Sequence, residues 1–553
     1  MTIERILWAF AVAAMLVGTG CGDDGGTGGG GTGGTGGALQ VVGTDPMDMA
    51  TDVSPDTTVR AMFSDALQET TVTTTSFVVH RSDGPGVAGV VTVSPEGDTA
   101  LFTPDGPLAL LTEYTATLTT EIESLTGSTL DADYQWLFST RDGAWTTAER
   151  IETNDGDGFG PQIALDADGN GLAVWSQRGD TRSAIWSNRY APIGDWGEAE
   201  RIEFASGGDA LGPQVALDPN GDGLAVWTQS DVARLNIWSN RFTPGAGWGT
   251  AQRIETENAG PAGQAQVALD ANGNGLAVWS QSDGTRFDIW SNRFVPDDGW
   301  DTAERIELTN SGSAAKPQVA LDASGSGLAV WEQSDGARSD IWSNRYTPSG
   351  GWGTAERIEV EDGDAFDPQV ALGASGNGLA VCEQSDGVRS DIWSSRYTPT
   401  GGWGTAERIE ATDGDASNPQ VALDASGNGL SVWEQLDGAR SDIWSNRYMP
   451  TGGWGTAERI EADDVGPAIR PQVGLDLGGN GLAVWSQFDG TRTNTWSNRY
   501  TPSDGWGAAE RIEADNAGGV SGPQVGLDPS GNGLAVWEQS DGVRSDIWSN
   551  RFE

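Results

Sequence analysis

Four short runs with apolar residues recur along most of this chain, separated by turns rich in glycine, aspartate and serine. In residues 317–359 the runs are PQVALD, GLAVWEQ, DIWSNRY and GWGTAERIE, and the connections between them include DASGSG, SDGARS and TPSGG. Connections of this composition are typical of tight turns between antiparallel strands. The pattern therefore predicts four antiparallel strands in a unit of about 50 residues.

The unit recurs eight times between residues 144 and 553, and tryptophans mark each copy. The triplet WSN or WSS returns at a constant spacing of 51 or 52 residues. A second tryptophan series lies in the GLAVW run and is interrupted once by cysteine. Its members are Trp175, Trp227, Trp279, Trp331, Cys382, Trp433, Trp485 and Trp537. Four strands per unit, repeated in tandem, are the signature of β-propeller blades.

The phase of the repeat predicts how the array closes. Residues 144–152 have the pattern of a fourth strand, yet they precede every first strand, and residues 546–553 have the pattern of a third strand. We expect these two segments to pair, which would remove the exposed edges and close an eight-bladed ring. An open solenoid would give the same spacing, but it does not explain the complementary ends and normally carries polar caps.

Residues 39–143 alternate apolar and polar positions in about seven short runs. They include TTVRAMF (57–63), SFVVHR (76–81), TALFTP (99–104), YTATLTT (114–120) and YQWLFST (134–140). This density of alternating runs predicts an antiparallel β-sandwich. The predicted fold class is therefore all-β, with a sandwich followed by the ring of residues 144–553.

Two family resemblances follow from these motifs. The segments TDPMDMATDVSPDTTVRAMFSDAL, ALFTPDGPLALLTEYTATL and YQWLFSTRDG resemble the bacterial Ig-like domains, a family of spacers and binding modules. In that family's fold, Tyr114 would form a tyrosine corner in which its hydroxyl bonds back to the backbone. The single histidine, His80, lies in a predicted strand and is interpreted as an ordinary strand residue.

The repeats resemble sialidase-like, Asp-box β-propellers. PQVALD, GLAVW and DIWSNRYTPSGGW carry the resemblance in the fourth copy, and all eight copies are covered. The aspartate and threonine of the box are missing, since TPSGGW at 347–352 keeps only the turn glycine and the tryptophan. A degenerate member of the family is therefore expected, with glycan recognition or cleavage as the implied activity.

The N-terminus has the pattern of an export signal. Residues 1–21 combine a positive charge at Arg5 with a short apolar run and end in small residues and Cys21. This segment resembles the lipobox of bacterial lipoproteins, which implies lipidation of Cys21. Gly18 stands where that family usually has leucine, so ordinary cleavage after Gly20 remains an alternative.

Residues 22–38 are so rich in glycine that they predict a flexible tether. Gly22 after the cysteine favours the outer membrane in the lipoprotein family's sorting pattern. The expected location is therefore outside the cytoplasm, on the outer membrane or cell surface, facing the periplasm or the exterior.

The excess of acidic residues makes some classes of binding partner improbable. Acidic residues number 80 against 31 basic residues, which gives a formal charge of -49, and Lys316 is the only lysine. Nucleic acids and anionic membranes repel such a chain, because binding them requires Lys and Arg to neutralise phosphates. We expect no nucleic-acid partner and no membrane contact except through the lipid.

The repeats show no catalytic constellation at the sequence level. A sialidase needs unique arginines, a tyrosine with a glutamate partner and an acid/base aspartate, whereas the arginines and tyrosines here recur in most copies. Cys382 replaces a repeated tryptophan, and the only histidine that might act as its base lies in the other domain. We interpret Cys382 as a buried, inert thiol and expect no enzyme activity and no cofactor, with calcium as the one alternative.

Calcium is a candidate ligand in the first three repeats. Their first turns read DADGNG, DPNGDG and DANGNG, which match the opening of a calcium loop with oxygen ligands at positions 1, 3 and 5. The turns could equally be simple hairpin connections that need a left-handed glycine. The candidate ligands are Asp166, Asp168, Asn170, Asp218, Asn220, Asp222, Asp270, Asn272 and Asn274.

The connection SDGARS carries a recurrent aspartate and arginine and is the candidate ligand-binding feature. It should share a face with the connection from the fourth strand to the next first strand, whose sequence varies most (153–160, 204–212, 308–316, 360–367). Alternatively, the two charges pair across the turn, with a contribution of about 0–1 kcal/mol. The candidate residues are Asp335, Arg338, Asp386, Arg389, Asp437, Arg440, Asp541 and Arg544.

These observations predict a non-enzymatic, monomeric surface protein that binds an extracellular glycan or protein through a multivalent propeller face. A degenerate glycan-binding or glycan-cleaving protein and a structural envelope component are the alternatives. Nearly identical repeats favour avidity over a single deep pocket.

Overall fold

Regular structure in the described part of the chain is β-sheet, apart from one 3-10 helix at Glu69–Thr71. The computed structural model describes residues 38–553, except for 83, 85, 153–155, 193, 204–206, 232, 256–259, 308–311, 360–362, 411–413, 462–465 and 514–517. The all-β prediction is confirmed. None of the helical structure in these ranges is long and apolar enough to cross a membrane.

Residues 39–140 form two facing four-stranded sheets, with strand orders β1-β3-β6-β5 and β2-β8-β7-β4. The strands are β1 (Val41–Asp45), β2 (Ala50–Val53), β3 (Val59–Phe63), β4 (Phe77–Arg81), β5 (Gly89–Val93), β6 (Thr99–Pro104), β7 (Glu113–Leu118) and β8 (Tyr134–Thr140). Alternation places Val59, Ala61 and Phe63 inside, where they join a core that contains Phe77 and Trp136.

Tyr114 forms the predicted corner. Its hydroxyl accepts a hydrogen bond of 2.8 Å from the backbone N–H of Ala109, and both residues are buried. The bond ties the start of β7 to the segment five residues upstream, so this part of the prediction is confirmed.

The remaining residues form eight similar antiparallel sheets, which we number as repeats one to eight. The first strands are β10 (Gly158–Leu165), β15 (Ala210–Leu217), β20 (Ala262–Leu269), β25 (Ala314–Leu321), β30 (Ala365–Leu372), β35 (Ala416–Leu423), β40 (Ala468–Leu475) and β45 (Val520–Leu527). The second strands are β11 (Gly171–Arg178), β16 (Gly223–Ser230), β21 (Gly275–Ser282), β26 (Gly327–Ser334), β31 (Gly378–Ser385), β36 (Gly429–Leu436), β41 (Gly481–Phe488) and β46 (Gly533–Ser540). The third strands are β12 (Ser183–Ala191), β17 (Leu235–Thr243), β22 (Phe287–Val295), β27 (Ser339–Thr347), β32 (Ser390–Thr398), β37 (Ser441–Met449), β42 (Thr493–Thr501) and β47 (Ser545–Phe552).

The fourth strand of each complete repeat is divided into two short pieces rather than the single run expected from the sequence. In repeat four, Trp352 pairs with Tyr346, whereas Glu356 pairs with Ser343, so three residues of the fourth strand face two of the third. This extra residue is a β-bulge, and it interrupts the ladder. The pieces are β13 (Asp195–Trp196), β14 (Glu200–Arg201), β18 (Gly247–Trp248), β19 (Gln252–Arg253), β23 (Gly299–Trp300), β24 (Glu304–Arg305), β28 (Gly351–Trp352), β29 (Glu356–Arg357), β33 (Gly402–Trp403), β34 (Glu407–Arg408), β38 (Gly453–Trp454), β39 (Glu458–Arg459), β43 (Gly505–Trp506) and β44 (Glu510–Arg511).

The first segment of the ring completes the last sheet. Strand β9 (Glu149–Arg150) pairs with β47, with Arg150 opposite Trp548 and Glu149 opposite Ser549. Trp145 adds a bridge to Phe552 on the same edge. The predicted pairing of residues 144–152 with 546–553 is therefore confirmed, and the eighth sheet takes its fourth strand from a segment almost 400 residues away in sequence.

Seven of the eight repeats bury a second-strand tryptophan against the preceding repeat, and repeat five buries Cys382 there. Trp227 of repeat two lies in one cluster with Val174, Ile185 and Ile202 of repeat one. The same arrangement joins repeat eight to repeat one, where Trp175 packs with Val536 and other residues of repeat eight. The repeats therefore follow one another around a closed, propeller-like ring.

An asparagine side chain links each pair of neighbouring repeats at this apolar boundary. The Asn344 amide donates to the carbonyl of Ile306 in the preceding repeat (2.9 Å) and to that of Gly353 in its own bulge (3.3 Å). In repeat five, Ser395 takes this place and donates to Ile358 at 2.7 Å. The position thus satisfies two buried carbonyl groups where asparagine is present and one where serine is present.

The sandwich contacts the side of the ring that carries the turns between first and second strands. The Leu110 N–H donates to the carbonyl of Ser530 in such a turn (2.9 Å), and the Leu110 side chain packs on Phe552. Arg499 forms an ion pair of 3.1 Å with Asp142 at the junction of the two domains. The opposite side of the ring does not take part in these contacts.

Asn344→Ala should destabilise the ring, because two buried carbonyl groups would lose their donor. We expect the free energy of unfolding to fall by about 1–3 kcal/mol in chemical denaturation. Asn344→Ser is the matched control, since repeat five already uses serine here, and its loss should be smaller. Equal stability of Asn344→Ala and the natural chain would contradict this role.

Candidate functional site

Two kinds of connection contact each other on the side of the ring away from the sandwich. One joins the second strand to the third, and the other joins the fourth strand to the first strand of the next repeat. The N–H of Ser339, which follows the SDGAR connection of repeat four, donates to Asp364 Oδ1 in the segment that enters repeat five (2.8 Å). The same contact recurs between Ser390 and Asp415 at 3.0 Å. The predicted sharing of one face is therefore seen, although residues 153–155, 204–206, 308–311 and 360–362 of the variable connections lie outside the described residues.

The recurrent aspartate of the SDGARS connection stabilises its own turn. Asp335 Oδ1 accepts hydrogen bonds from the N–H groups of Ala337 (2.8 Å) and Arg338 (2.9 Å). Asp386 and Asp541 accept the equivalent pairs. These bonds favour the ionised carboxylate and lower the pKa of Asp335 from its usual value.

The arginine of this connection lies closer to a different aspartate than the one predicted. Arg338 Nε is 3.0 Å from Asp340 Oδ1 but 3.7 Å from Asp335 Oδ2. Asp340 is buried, so it is the stronger partner in a medium that screens charge weakly. The same contact joins Arg389 to Asp391, Arg440 to Asp442 and Arg544 to Asp546 at 2.9–3.0 Å.

A buried glutamate completes the charged group at the end of each fourth strand. In repeat four, Arg357 lies 3.5 Å from Asp340 and 3.3 Å from Glu359. Burial, with a smaller contribution from the nearby charge of Asp340, raises the pKa of Glu359 to about 7. Burial likewise raises the pKa of Glu410 to about 8 and those of Glu307, Glu461 and Glu513 to about 7.

A polar relay connects the buried tryptophan of one repeat to the glutamate of the preceding repeat. In repeat four, Trp331 Nε1 donates to Gln333 Oε1 (3.0 Å), and Gln333 Nε2 lies 3.4 Å from Glu307 Oε2. The tryptophan-to-glutamine bond occurs in seven repeats. Buried polar atoms in these repeats therefore have specific partners across the boundary.

Repeat five departs from this relay. Cys382 occupies the tryptophan position, is 8% exposed, and has a thiol pKa raised to about 12 by burial. A thiol with such a pKa is protonated at neutral pH and is a poor nucleophile. The finding agrees with the interpretation of Cys382 as inert, yet it leaves Gln384 without the indole donor that its counterparts have.

Clefts open beside these groups on the same face. One cleft of 640 Å³ is lined by Gln177, Asp180, Arg182, Trp186 and Arg201 in repeat one. Another, of 570 Å³, lies between repeats four and five and is lined by Arg338, Asp364, Gln384, Asp391 and Trp393. Each combines a partly exposed tryptophan with amide and charged groups, and we call them cleft one and cleft five.

The first turns of the repeats use the predicted calcium ligands in hydrogen bonds. Asp166 Oδ1 accepts from the N–H groups of Asp168 (2.9 Å) and Asn170 (2.8 Å), while Oδ2 accepts from the Asn170 amide at 2.9 Å. Asp218 and Asp270 accept equivalent bonds. Within the described ranges no group of three or more His, Cys, Asp or Glu side chains is placed to hold a metal. Calcium binding stays a prediction.

Sequence reasoning missed a ring of left-handed residues near the start of every first strand. The third residue has φ between 48° and 62° in all eight copies. These residues are Gly160, Gly212, Gln264, Lys316, Asp367, Asn418, Arg470 and Gly522. Five are not glycine, so the backbone there is strained, a feature that clusters at functional sites.

The residues of the left-handed ring also differ in charge between repeats, since they include Lys316, Asp367 and Arg470. Lys316 Nζ forms ion pairs with Glu332 (3.0 Å) and Asp367 (2.6 Å), which joins repeats four and five. The signal was present in the sequence, since Lys316 is the only lysine, but its partners lie in a neighbouring strand and a neighbouring repeat.

Comparison with known proteins identifies the N-terminal domain. Residues 36–140 match the family described as bacterial Ig-like domain, which confirms the resemblance of the sandwich to that family. The match does not extend to the ring. No curated protein matches the chain.

Solved structures with a similar fold include several enzymes. An α-L-arabinanase from Penicillium chrysogenum in complex with arabinobiose is 13% identical, with 52% of this chain and 92% of that chain covered and a TM-score of 0.36. The polysaccharide lyase Uly1 is 9% identical, with coverages of 64% and 92% and a TM-score of 0.43. NanB sialidase from Streptococcus pneumoniae is 10% identical, with coverages of 90% and 93% and a TM-score of 0.34. These likenesses concern the fold alone.

The buried glutamates predict that the ring loses stability as the pH rises. Their folded-state pKa values of about 7 to 8 exceed the ordinary value of 4.5, so the folded chain binds more protons than the unfolded chain between these values. The contribution of these glutamates to stability is therefore full below about pH 4.5 and is lost as the pH rises to 7 to 8, by about 1.4 kcal/mol per pH unit for each proton in excess. Denaturant unfolding at pH 5.5 and 8.5, at constant ionic strength, measures this fall.

Glu359→Gln provides the control, because the amide is neutral at every pH. Its stability should fall less between pH 5.5 and 8.5 than that of the natural chain. A constant or rising stability over this interval would contradict the assignment.

Proposed function

We propose that this chain is a non-enzymatic surface protein whose ring binds an extracellular glycan or protein through repeated clefts on one face. The observation that carries the proposal is the recurrence of one set of groups around that face. Each set contains the partly exposed WSN or WSS tryptophan, an arginine of the fourth strand and a buried glutamate. Aromatic surfaces flanked by a few polar groups are typical of ligand sites.

The fixed partners of the charged groups support binding rather than catalysis. Arg338, Asp340, Arg357 and Glu359 form one linked group, and its members recur in several other repeats. General acid–base catalysis requires groups at one reacting bond whose pKa values are pushed apart. A charged group copied around a ring instead favours a repeated, equivalent contact.

The placement of the Ig-like domain supports presentation of this face. The sandwich contacts the opposite side of the ring through Leu110 and Asp142, so the clefts stay accessible. Export and lipidation at Cys21 would hold the protein on the membrane through the glycine-rich segment. Residues 1–37 lie outside the described residues, so this anchor is part of the proposal.

Repetition would give avidity to weak individual contacts. A polymer that occupies one cleft presents its next unit to a neighbouring cleft at high effective concentration, so joint binding exceeds single-site affinity by about 10² to 10⁴. A monomer can therefore hold a surface polymer without a deep pocket.

Binding to arrayed glycans and envelope polymers tests the proposal. The full chain with Cys21→Ser, which removes the lipidation site, should bind at least one arrayed polymer at high density and lose most binding at low density. A free monovalent unit should compete only at a concentration about 100-fold or more above that of the polymer.

The same preparation distinguishes the alternatives. Release of sugar from an arrayed glycan would replace the binding role by a glycan-cleaving one. Failure to bind any polymer, together with an altered envelope in cells that lack the gene, would replace it by a structural role. Mass spectrometry of the mature N-terminus tests lipidation at Cys21 independently.

A further inference from the structure

Cleft five differs from its counterparts in one buried donor. In seven repeats an indole Nε1 donates to the glutamine two residues later, as Trp433 does to Gln435 at 3.0 Å. Cys382 carries no such donor. The smaller side chain also leaves part of the apolar boundary uncovered, because Cys382 is 8% exposed where the corresponding tryptophans are fully buried.

Gln384 consequently retains a polar group that the protein does not satisfy. The side chain is 2% exposed, and neither its Oε1 nor its Nε2 has a hydrogen-bond partner among the described residues. A buried amide left in this state costs about 1–3 kcal/mol. Such groups are rare in native proteins and usually have a specific reason.

The unsatisfied amide lies in the wall of a cavity. Gln384 lines cleft five together with Trp393, Asp364, Asp386 and Asp391, and the cleft measures 570 Å³. Glu359 corresponds to Glu307, which Gln333 contacts at 3.4 Å in repeat four. Glu359 also forms an ion pair of 3.3 Å with Arg357.

These groups define the chemistry of the ligand. A glutamine amide presents an NH2 group with two donors beside an acceptor oxygen, and a hydroxyl group can form a hydrogen bond with either. Trp393 offers an apolar ring surface beside them, against which the C–H face of a sugar can pack. The wall carries three aspartates against one arginine, Arg338, and this negative balance disfavours anionic ligands.

We propose that cleft five is a distinct site for a neutral sugar residue, whose hydroxyl groups pair with the Gln384 amide and whose apolar face packs on Trp393. The inference deepens the proposed function and rests on it for the source of the sugar, a surface glycan. The cysteine contributes through its small size and its missing N–H group. Thiol chemistry plays no part.

Substitution at the second-strand position that holds tryptophan in seven repeats and cysteine in repeat five can remove this site or create a second one. Cys382→Trp restores the indole donor to Gln384 and fills the boundary, so it should abolish binding in cleft five while raising the melting temperature. Trp331→Cys should remove the indole donor to Gln333 Oε1 in repeat four, and Trp433→Cys should remove the donor to Gln435 Oε1 in repeat six. The second replacement serves if the first does not fold.

The experiment titrates the full Cys21→Ser chain with methyl glycosides of glucose, galactose, mannose and N-acetylglucosamine, using calorimetry and ligand-observed NMR. We expect one of them to bind with a stoichiometry near one per chain. Cys382→Trp should weaken that binding at least 10-fold, and Trp331→Cys or Trp433→Cys should raise the stoichiometry to two. Gln384→Leu should weaken it similarly and, because it removes the unsatisfied amide, should not lower the melting temperature.

The possible results separate this site from the general binding role. Equal binding by the natural chain and Cys382→Trp, or a stoichiometry near eight in both, would overturn the inference and leave the repeated clefts intact. Binding to arrayed polymers without binding to any methyl glycoside would also overturn the inference about cleft five and leave the general binding role intact. Binding of methylammonium in place of the glycosides would also overturn it, because the cleft would then be a cation site.

Discussion

No repeat of this ring can bury its own second-strand tryptophan. The indole of Trp227 packs among Val174, Ile185 and Ile202 of the preceding repeat. The apolar surface of each sheet is therefore buried only when a neighbouring sheet packs against it. A tryptophan buries about 150–250 Å² of surface, which makes this contact a large part of the stability of every boundary. The chain must therefore close on itself, and the pairing of Glu149–Arg150 with β47 provides the last boundary.

The same constraint explains the polar groups at the boundaries. An apolar contact between sheets does not fix their relative position by itself, whereas hydrogen bonds with defined geometry do. Near the bulge of the fourth strand, the Asn344 amide donates a hydrogen bond to a carbonyl of the preceding repeat. Near the face that carries the clefts, the Gln333 amide donates to Glu307. Apolar packing therefore drives association of the repeats, and the buried polar groups set their register. The raised pKa of glutamates such as Glu307 follows from their place in this dry boundary.

Features that depend on local pattern were predictable from the sequence. The four runs, the tandem repeat, the corner at Tyr114 and the pairing of the two ring ends all follow from periodicity and turn residues, which act over short stretches. The bulge in the fourth strand and the left-handed backbone at Lys316 were not predicted. Both arise where a strand adjusts to its neighbour, and a β-bulge leaves little trace in composition.

The candidate site was only partly predictable, because its contacts also depend on how neighbouring strands and repeats pack together. The sequence identified Asp335 and Arg338 as recurrent charges, but the arginine lies closest to Asp340, which burial makes the stronger partner. It also identified Cys382 as a substitution within a structural series. The loss of the hydrogen-bond partner of Gln384 was not predicted, because it depends on a bond between side chains two residues apart on one strand. That bond is seen in the other seven repeats.

Symmetry makes departures from the repeat informative. Replacement of a buried tryptophan by a much smaller residue generally destabilises a core by about 3–5 kcal/mol, and the unsatisfied amide of Gln384 adds to that loss. The single lysine, Lys316, is a second departure, and its side chain forms an ion pair with Asp367 in repeat five, the repeat that also carries Cys382. A ring with a purely structural task would gain stability by repeating the common sequence in repeat five. A local loss of stability of this kind is typical of functional sites, and it is the observation that favours the separate role proposed for cleft five.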